Sequence, residues 1–409
     1  MDREQIILSE QNLMANVYAK RPVVIVKGKA DLLWDEDGRE YIDCTGSYGS
    51  CIVGYCHPKV VEAITNQSQK LTSCHGFMYN DSRSEFLERI VKIAPKDLQK
   101  VFLSNSGTEA IECALKLARK YTGKKEIIAM MGAYHGKTFG SLSATWDKKY
   151  RDAFTPLVPE IKHVPYGNIE KLKENINVGT AAVIVEPIQG ESGIKVPPEG
   201  FLKELRELCD EKNVLMILDE IQTGFGRTGR IFAFEHFGIV PDITCLAKGV
   251  AGGIPIGLTL SRKEIMSSLK VGEHSATYGA NPLACAAATA TIDVLEKERL
   301  PEKAHVDGQY FALKLNQLKD AHKIIREVRG RGLMIGVETR FEVVDFILNS
   351  IGKGVLVLDA GRNVLRFLPP LVITRDHIDR TVQVLDQVIG EKENGQLPRE
   401  PSEQDARNL

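Results

Sequence analysis

The run Val214-Leu215-Met216-Ile217-Leu218, continued by Asp219-Glu220-Ile221-Gln222-Thr223-Gly224, decides how the chain folds. Five apolar residues with no polar alternation read as a strand covered on both faces. Leu202, Leu205, Leu208 and Cys209 mark a helix face just before it. Val183-Ile184-Val185 ahead of Glu186-Pro187, and Ile127-Ile128-Ala129-Met130, repeat the pattern, each after a helix-like segment. Strands that alternate with helices pair in parallel through right-handed crossovers, which predicts an α/β fold with a mostly parallel central sheet. Such sheets bind ligands beyond the carboxyl ends of their strands. Polar residues directly behind the apolar runs are therefore the first candidates for chemistry.

The texture changes near Leu300-Pro301, where a helix from Cys285 to Glu298 ends. A helix near Asp307 to Leu318 and strands at Leu333 to Glu338 and Val364 to Leu368 predict a smaller α+β domain over 300–390, behind a large domain over 61–299. Residues 1–60 are expected to join the small domain or a dimer interface. Residues 391–409 lack apolar periodicity, carry Pro398 and Pro401, and are expected to form a disordered tail.

A length of 409 residues excludes a small disulfide scaffold, and 53 basic against 54 acidic residues leave no surplus to neutralise a phosphate backbone. Nucleic acid is not an expected partner. The polar start Met1-Asp2-Arg3-Glu4-Gln5 is no signal peptide, and no apolar run reaches the roughly 18 residues of a membrane span. A cytoplasmic location without membrane contact follows. The eight cysteines contain no CxxC pair and read as reduced core thiols. Cys56-His57 has no second ligand pair at zinc spacing, so no metal site is expected.

Four segments carry candidate chemistry. Ser104-Asn105-Ser106-Gly107-Thr108-Glu109 leads into a helix with apolar Ala110, Ile111, Ala114, Leu115 and Ala118. Ser106 or Thr108 can cap it, and its free N–H groups make an anion cradle for one phosphate, although a plain N-cap accounts for the segment as well. Asp219 at a strand end is either a structural ion-pair member or a ligand group; beside a pyridine ring it would keep the ring nitrogen protonated, and Gln222 could donate to a ring oxygen. Lys248, in Leu246-Ala247-Lys248-Gly249, stands among small apolar residues that would lower its pKa and make the amine nucleophilic, against the ordinary reading of a solvated charge. Tyr134, after Gly132-Ala133, is core or a ring that stacks on a planar ligand.

Together the ordered motifs SNSGTEA (104–110), YHG (134–136), EPIQGE (186–191), DEIQTGFGRTG (219–229), LAKG (246–249) and TYGANPLA (277–284) closely resemble the class III aminotransferases, pyridoxal-phosphate (PLP) enzymes of the aspartate-aminotransferase-like fold (PLP fold type I). The resemblance implies that Lys248 is the covalent attachment point and the proton carrier, and that Asp219 pairs with the ring nitrogen. Gln222 would contact the ring hydroxyl, Tyr134 the ring face, and His135 and Ser106 the cofactor's surroundings. Gly107 and Thr108 would hold the phosphate, with Thr277 reaching it from the neighbouring subunit of a homodimer. Glu186 would orient Gln222.

For the substrate, the resemblance places Arg366 as the clamp on a carboxylate, with Glu191 pairing with it while an ω-amino donor is bound and swinging away for glutamate. The overall likeness is to acetylornithine aminotransferases and to relatives acting on ornithine or lysine joined to an amino-group carrier protein. It implies ping-pong transfer to 2-oxoglutarate in arginine or lysine biosynthesis. Lys137 stands where those enzymes show arginine, a point charge instead of a fork, and the donor-pocket stretch around Tyr48, Gly46 to Cys51, also differs. 4-Aminobutyrate or another ω-amino acid therefore stays open as donor, as does an aminomutase resembling the glutamate-1-semialdehyde enzyme.

Overall fold

The computed structural model describes residues 2–395. A helix, Arg3–Leu13, precedes three short antiparallel strands, β1 (Ile25–Lys29), β2 (Leu32–Asp35) and β3 (Glu40–Asp43). The central sheet then takes β4 (Lys100–Ser104), β5 (Glu126–Met130), β6 (Ile161–Val164), β7 (Thr180–Val185), β8 (Leu215–Asp219), β9 (Ile243–Leu246) and β10 (Gly257–Ser261) in the order β4-β10-β9-β8-β7-β5-β6. Only β10 is reversed, so the sheet is mostly parallel.

Helices cover both faces, which explains the unbroken apolar runs. Ile217 of β8 faces Ala110, Ile111, Ala114 and Ala118 of the helix Gly107–Thr122. Its neighbours Met216 and Leu218 belong to the opposite core with Leu202, Leu205 and Leu208 of the helix Phe201–Lys212. Each such fully buried side chain contributes about 1.5–3 kcal/mol relative to exposure.

The remaining strands are β11 (Ile325–Arg331), β12 (Met334–Thr339), β13 (Val355–Leu356), β14 (Leu358–Asp359) and β15 (Val364–Phe367). An antiparallel sheet β11-β12-β15-β14 puts Arg366 opposite Gly336 and Leu358. β13 instead pairs in parallel with β3, joining the beginning of the chain to its last quarter.

Two sequence expectations need correction. The helix placed near Asp307 to Leu318 runs from Leu300 to Ala321, because Pro301 sits in its first turn, where the missing N–H costs nothing. The helix Arg375–Glu393 enters the stretch expected as a tail: Glu391 accepts from Lys353 (3.0 Å), and Glu393 faces His322 (2.9 Å). From residue 396 on, the tail expectation lies outside the described residues. Among the described residues no helix is long and apolar enough to cross a membrane, no three His, Cys, Asp or Glu side chains group as metal ligands, and the eight cysteines are unpaired.

Candidate active site

The carboxyl ends of β5, β7, β8 and β9 open on a cavity of about 470 Å³, lined by Ser106, Gly107, Thr108, Tyr134, His135, Lys137, Glu186, Glu191, Asp219, Gln222 and Lys248. Eleven of the residues singled out in the sequence thus meet in one place. Tyr48, Arg366 and Thr277 are not in its wall.

Asp219 ends β8 in a fully covered position and uses both oxygens: Oδ1 accepts the Ile221 N–H (3.0 Å), and Oδ2 lies 2.7 Å from His135 Nδ1. Burial alone would push the His135 pKa down; the hydrogen bond and charge of Asp219 outweigh it and raise the pKa. Beyond β9, Lys248 starts a 3-10 turn with φ of +44°, a left-handed backbone rare outside glycine and a mark of local strain. Enclosure lowers its pKa, opposed chiefly by Glu191 and reinforced by Arg366. A larger neutral fraction makes the amine a better nucleophile.

Glu186 follows β7 and accepts the N–H groups of Tyr134 (3.0 Å) and Gly190 (3.1 Å). Its pKa rises because it is buried, with Asp219 adding to the rise. No hydrogen bond joins it to Gln222 among the described residues. Glu186 holds Gly190, which packs so closely on Gln222 that a Cβ there would stand 2.2 Å from Gln222 Oε1. The Gln222 carbonyl oxygen is buried without a partner.

The helix Gly107–Thr122 starts at the cavity wall. Ser106 caps it, and Glu109 returns to the Asn105 N–H (2.8 Å) and the Ser106 hydroxyl (3.0 Å). Gly107 is required by closeness: a Cβ would lie 2.8 Å from Ile221 Cδ1. Thr108 Oγ1 sits 2.8 Å from the Thr138 and 2.6 Å from the Ser141 hydroxyl, and Glu112 accepts from Thr138 (2.5 Å) and from the N–H of Gly140 (2.8 Å). Glu112, Thr138 and Ser141 escaped sequence reasoning; the one available signal was Glu112 standing four residues after Thr108, on the same helix face.

Deeper in the fold, Arg366 is fully buried and forks onto Glu191, with Nη1 2.5 Å and Nη2 3.4 Å from its oxygens. Tyr48 covers this pair, its ring 5.2 Å from the guanidinium carbon, on a turn where Gly46, Ser47, Tyr48 and Gly49 all have positive φ. Lys137 stands 5.1 Å above the Tyr150 ring. Thr277 is exposed, next to exposed Tyr278.

An isolated amine, a buried carboxylate–imidazole pair, an unpartnered amide oxygen and a helix N-terminus beside a cluster of hydroxyls fit a pyridoxal phosphate. A family profile described as aminotransferase class-III matches residues 13–389. The chain belongs to the class III aminotransferases. It is 47% identical over 372 residues to the acetylornithine aminotransferase of Methanopyrus kandleri, covering 90% of this chain and 95% of that one. It is 42% identical to ornithine aminotransferase 1 of Staphylococcus aureus, over 91% of this chain and 96% of that one. Among solved structures, the ornithine aminotransferase of Toxoplasma gondii superposes with a TM-score of 0.93 at 34% identity, covering 97% and 96% of the two chains. The acetylornithine aminotransferase of Elizabethkingia anophelis gives 0.86 at 34%, covering 96% and 100%. As a class III aminotransferase the chain is a transferase of the 2.6.1 class whose cofactor is PLP.

Proposed function

We propose that this aminotransferase moves an ω-amino group from an acetylornithine-like donor, free or linked as ornithine or lysine to an amino-group carrier protein, to 2-oxoglutarate. The observation that carries the reading is the Arg366–Glu191 fork. A carboxylate that already neutralises the clamp arginine leaves room for a donor end without charge. When Glu191 moves aside, the same arginine receives the carboxylate of glutamate or 2-oxoglutarate. One site thereby serves two partners in turn, as ping-pong exchange requires.

When bound, the cofactor supplies a carbonyl that condenses with amines and a protonated ring that draws electrons from the amine-bearing carbon. Lys248 Nζ would hold the cofactor's carbonyl and is the amine placed to carry a proton at that carbon. Asp219, oriented by His135, would keep a proton on the ring nitrogen. Gln222 would meet the ring hydroxyl, Tyr134 would cover the ring, and Gly107 and Thr108 would hold the phosphate.

Lys137, at the cavity wall, supports a second carboxylate on the donor, met as a point charge. A homodimer is supported by exposed Phe77, Tyr79 and Tyr278, with Thr277 beside Tyr278 available to complete a second copy's phosphate site. Unpaired thiols accord with a cytoplasmic setting. The test is a single-turnover panel of acetylornithine, ornithine, lysine, 4-aminobutyrate and carrier-linked amines, followed by the cofactor's absorbance. Faster reaction of 4-aminobutyrate than of acetylornithine and the carrier-linked amines would overturn the donor assignment. Isomerisation without any 2-oxo acid would make the protein an aminomutase.

A further inference from the structure

Arg227 is among the largest side chains with no solvent exposure, yet it is poorly matched. Its Nη1 donates to the backbone carbonyls of Leu333 (3.0 Å) and Pro369 (2.5 Å), while Nε and Nη2 have no partner among the described residues. Burial pushes its pKa down to about 9, and only the charge of Asp43 opposes this. A well-packed apolar residue would stabilise such a position at least as well, so packing does not explain the cation. What it joins does.

Three segments meet at Arg227. It lies in the turn after β8 that begins with Asp219 and Gln222, and its own carbonyl accepts the Leu333 N–H (3.0 Å). Pro369 stands three residues beyond Arg366. The intervening Leu368 donates its N–H to Cys44 (2.8 Å), and Gly46 approaches so closely that a Cβ would be 2.3 Å from the Leu368 carbonyl oxygen. Gly46 in turn opens the left-handed turn that lays Tyr48 over Arg366.

We propose that Arg227 is a positioning residue for substrate carboxylates: its Nη1, shared between two carbonyls, ties the wall bearing Asp219 and Gln222 to the strand bearing Arg366 and the turn bearing Tyr48. The inference rests on the reading of Arg366 as the carboxylate clamp. Without this tie Pro369 is free to shift, and the Arg366 fork loses its place while the cofactor's own contacts stay intact.

The test uses holoenzyme and glutarate, a dicarboxylate with no amine to react, titrated against the cofactor's absorbance. Arg227→Met removes the Nη1 tie without leaving a buried charge. Glutarate should bind about tenfold more weakly, a typical coupling for residues in one network, with cofactor affinity held within about twofold. Arg366→Ala should weaken glutarate more, and adding Arg227→Met to it should cost nothing further. Should Arg227→Met not fold, Arg227→Lys, whose shorter side chain ends short of the Nη1 position, carries the same comparison. Unchanged glutarate binding, full additivity with Arg366→Ala, or a parallel fall in cofactor affinity would each overturn the proposal alone. If Arg366→Ala itself leaves glutarate binding unchanged, the clamp reading falls and takes this inference with it.

Discussion

His135 donates through Nδ1 to Asp219 Oδ2 at 2.7 Å, and its Nε2 faces no partner among the described residues. The histidine therefore spends its one fixed interaction on the carboxylate assigned to the cofactor ring. Because Asp219 raises the folded-state pKa of His135, the protonated ring stabilises the fold below its ordinary value near 6.5. That contribution is lost as pH rises through the raised folded value. His135→Asn should be less stable than the parent at pH 6, and the gap in urea midpoint should narrow toward pH 9. A gap that widens with pH would contradict the assigned sign.

On the proposed reading, Lys248→Ala removes both the attachment point and the proton carrier. Turnover should fall by roughly a thousandfold or more, within the range for a lost general base. Cofactor should still bind through the helix start at Gly107, measured by equilibrium dialysis, but borohydride should no longer fix it to the protein.

Glu191→Ala leaves the buried Arg366 without its counter-charge. Glutamate should then bind more tightly and ω-amine donors more weakly, because the uncovered cation now demands a carboxylate. The ratio of kcat/KM for glutamate over the ω-donor should rise by about tenfold or more, the scale of one charge-assisted contact. A falling ratio would remove the switching role.

Gly46→Ala combines a positive φ of 52° with a Cβ at 2.3 Å from the Leu368 carbonyl oxygen. A clash with backbone has no flexible end to absorb it. Stability should drop by about 2 kcal/mol or more, read as a lower thermal midpoint.

How much of this was readable in advance follows from distance along the chain. β5, β7 and β8 announce themselves because both faces are covered, so no polar residue interrupts them. Asp219, Glu186 and Lys248 come with them, since each stands just after or at such a strand's end. β4 and β10, which pair with each other antiparallel, and the two-residue β13 gave no comparable signal, because their partners are chosen by the tertiary fold. Glu112 and Arg227, though the latter lies inside a quoted motif, had no role readable from their neighbours. Their meaning lies in which carbonyls and hydroxyls other segments bring to them, and no local pattern encodes that. Glu186 lines the cavity as well, but that its partners there are two backbone N–H groups is again set by other segments.

The parallel pairing of β3 with β13 has a cost during synthesis. Ile42 leaves the ribosome early and must wait for Val355 before its strand is complete, so the β1–β3 ribbon stays open at one edge while the large domain assembles. An unfinished sheet edge is a template for wrong partners. Nascent chains stalled short of residue 355 should therefore be the species most prone to aggregate and most dependent on chaperones.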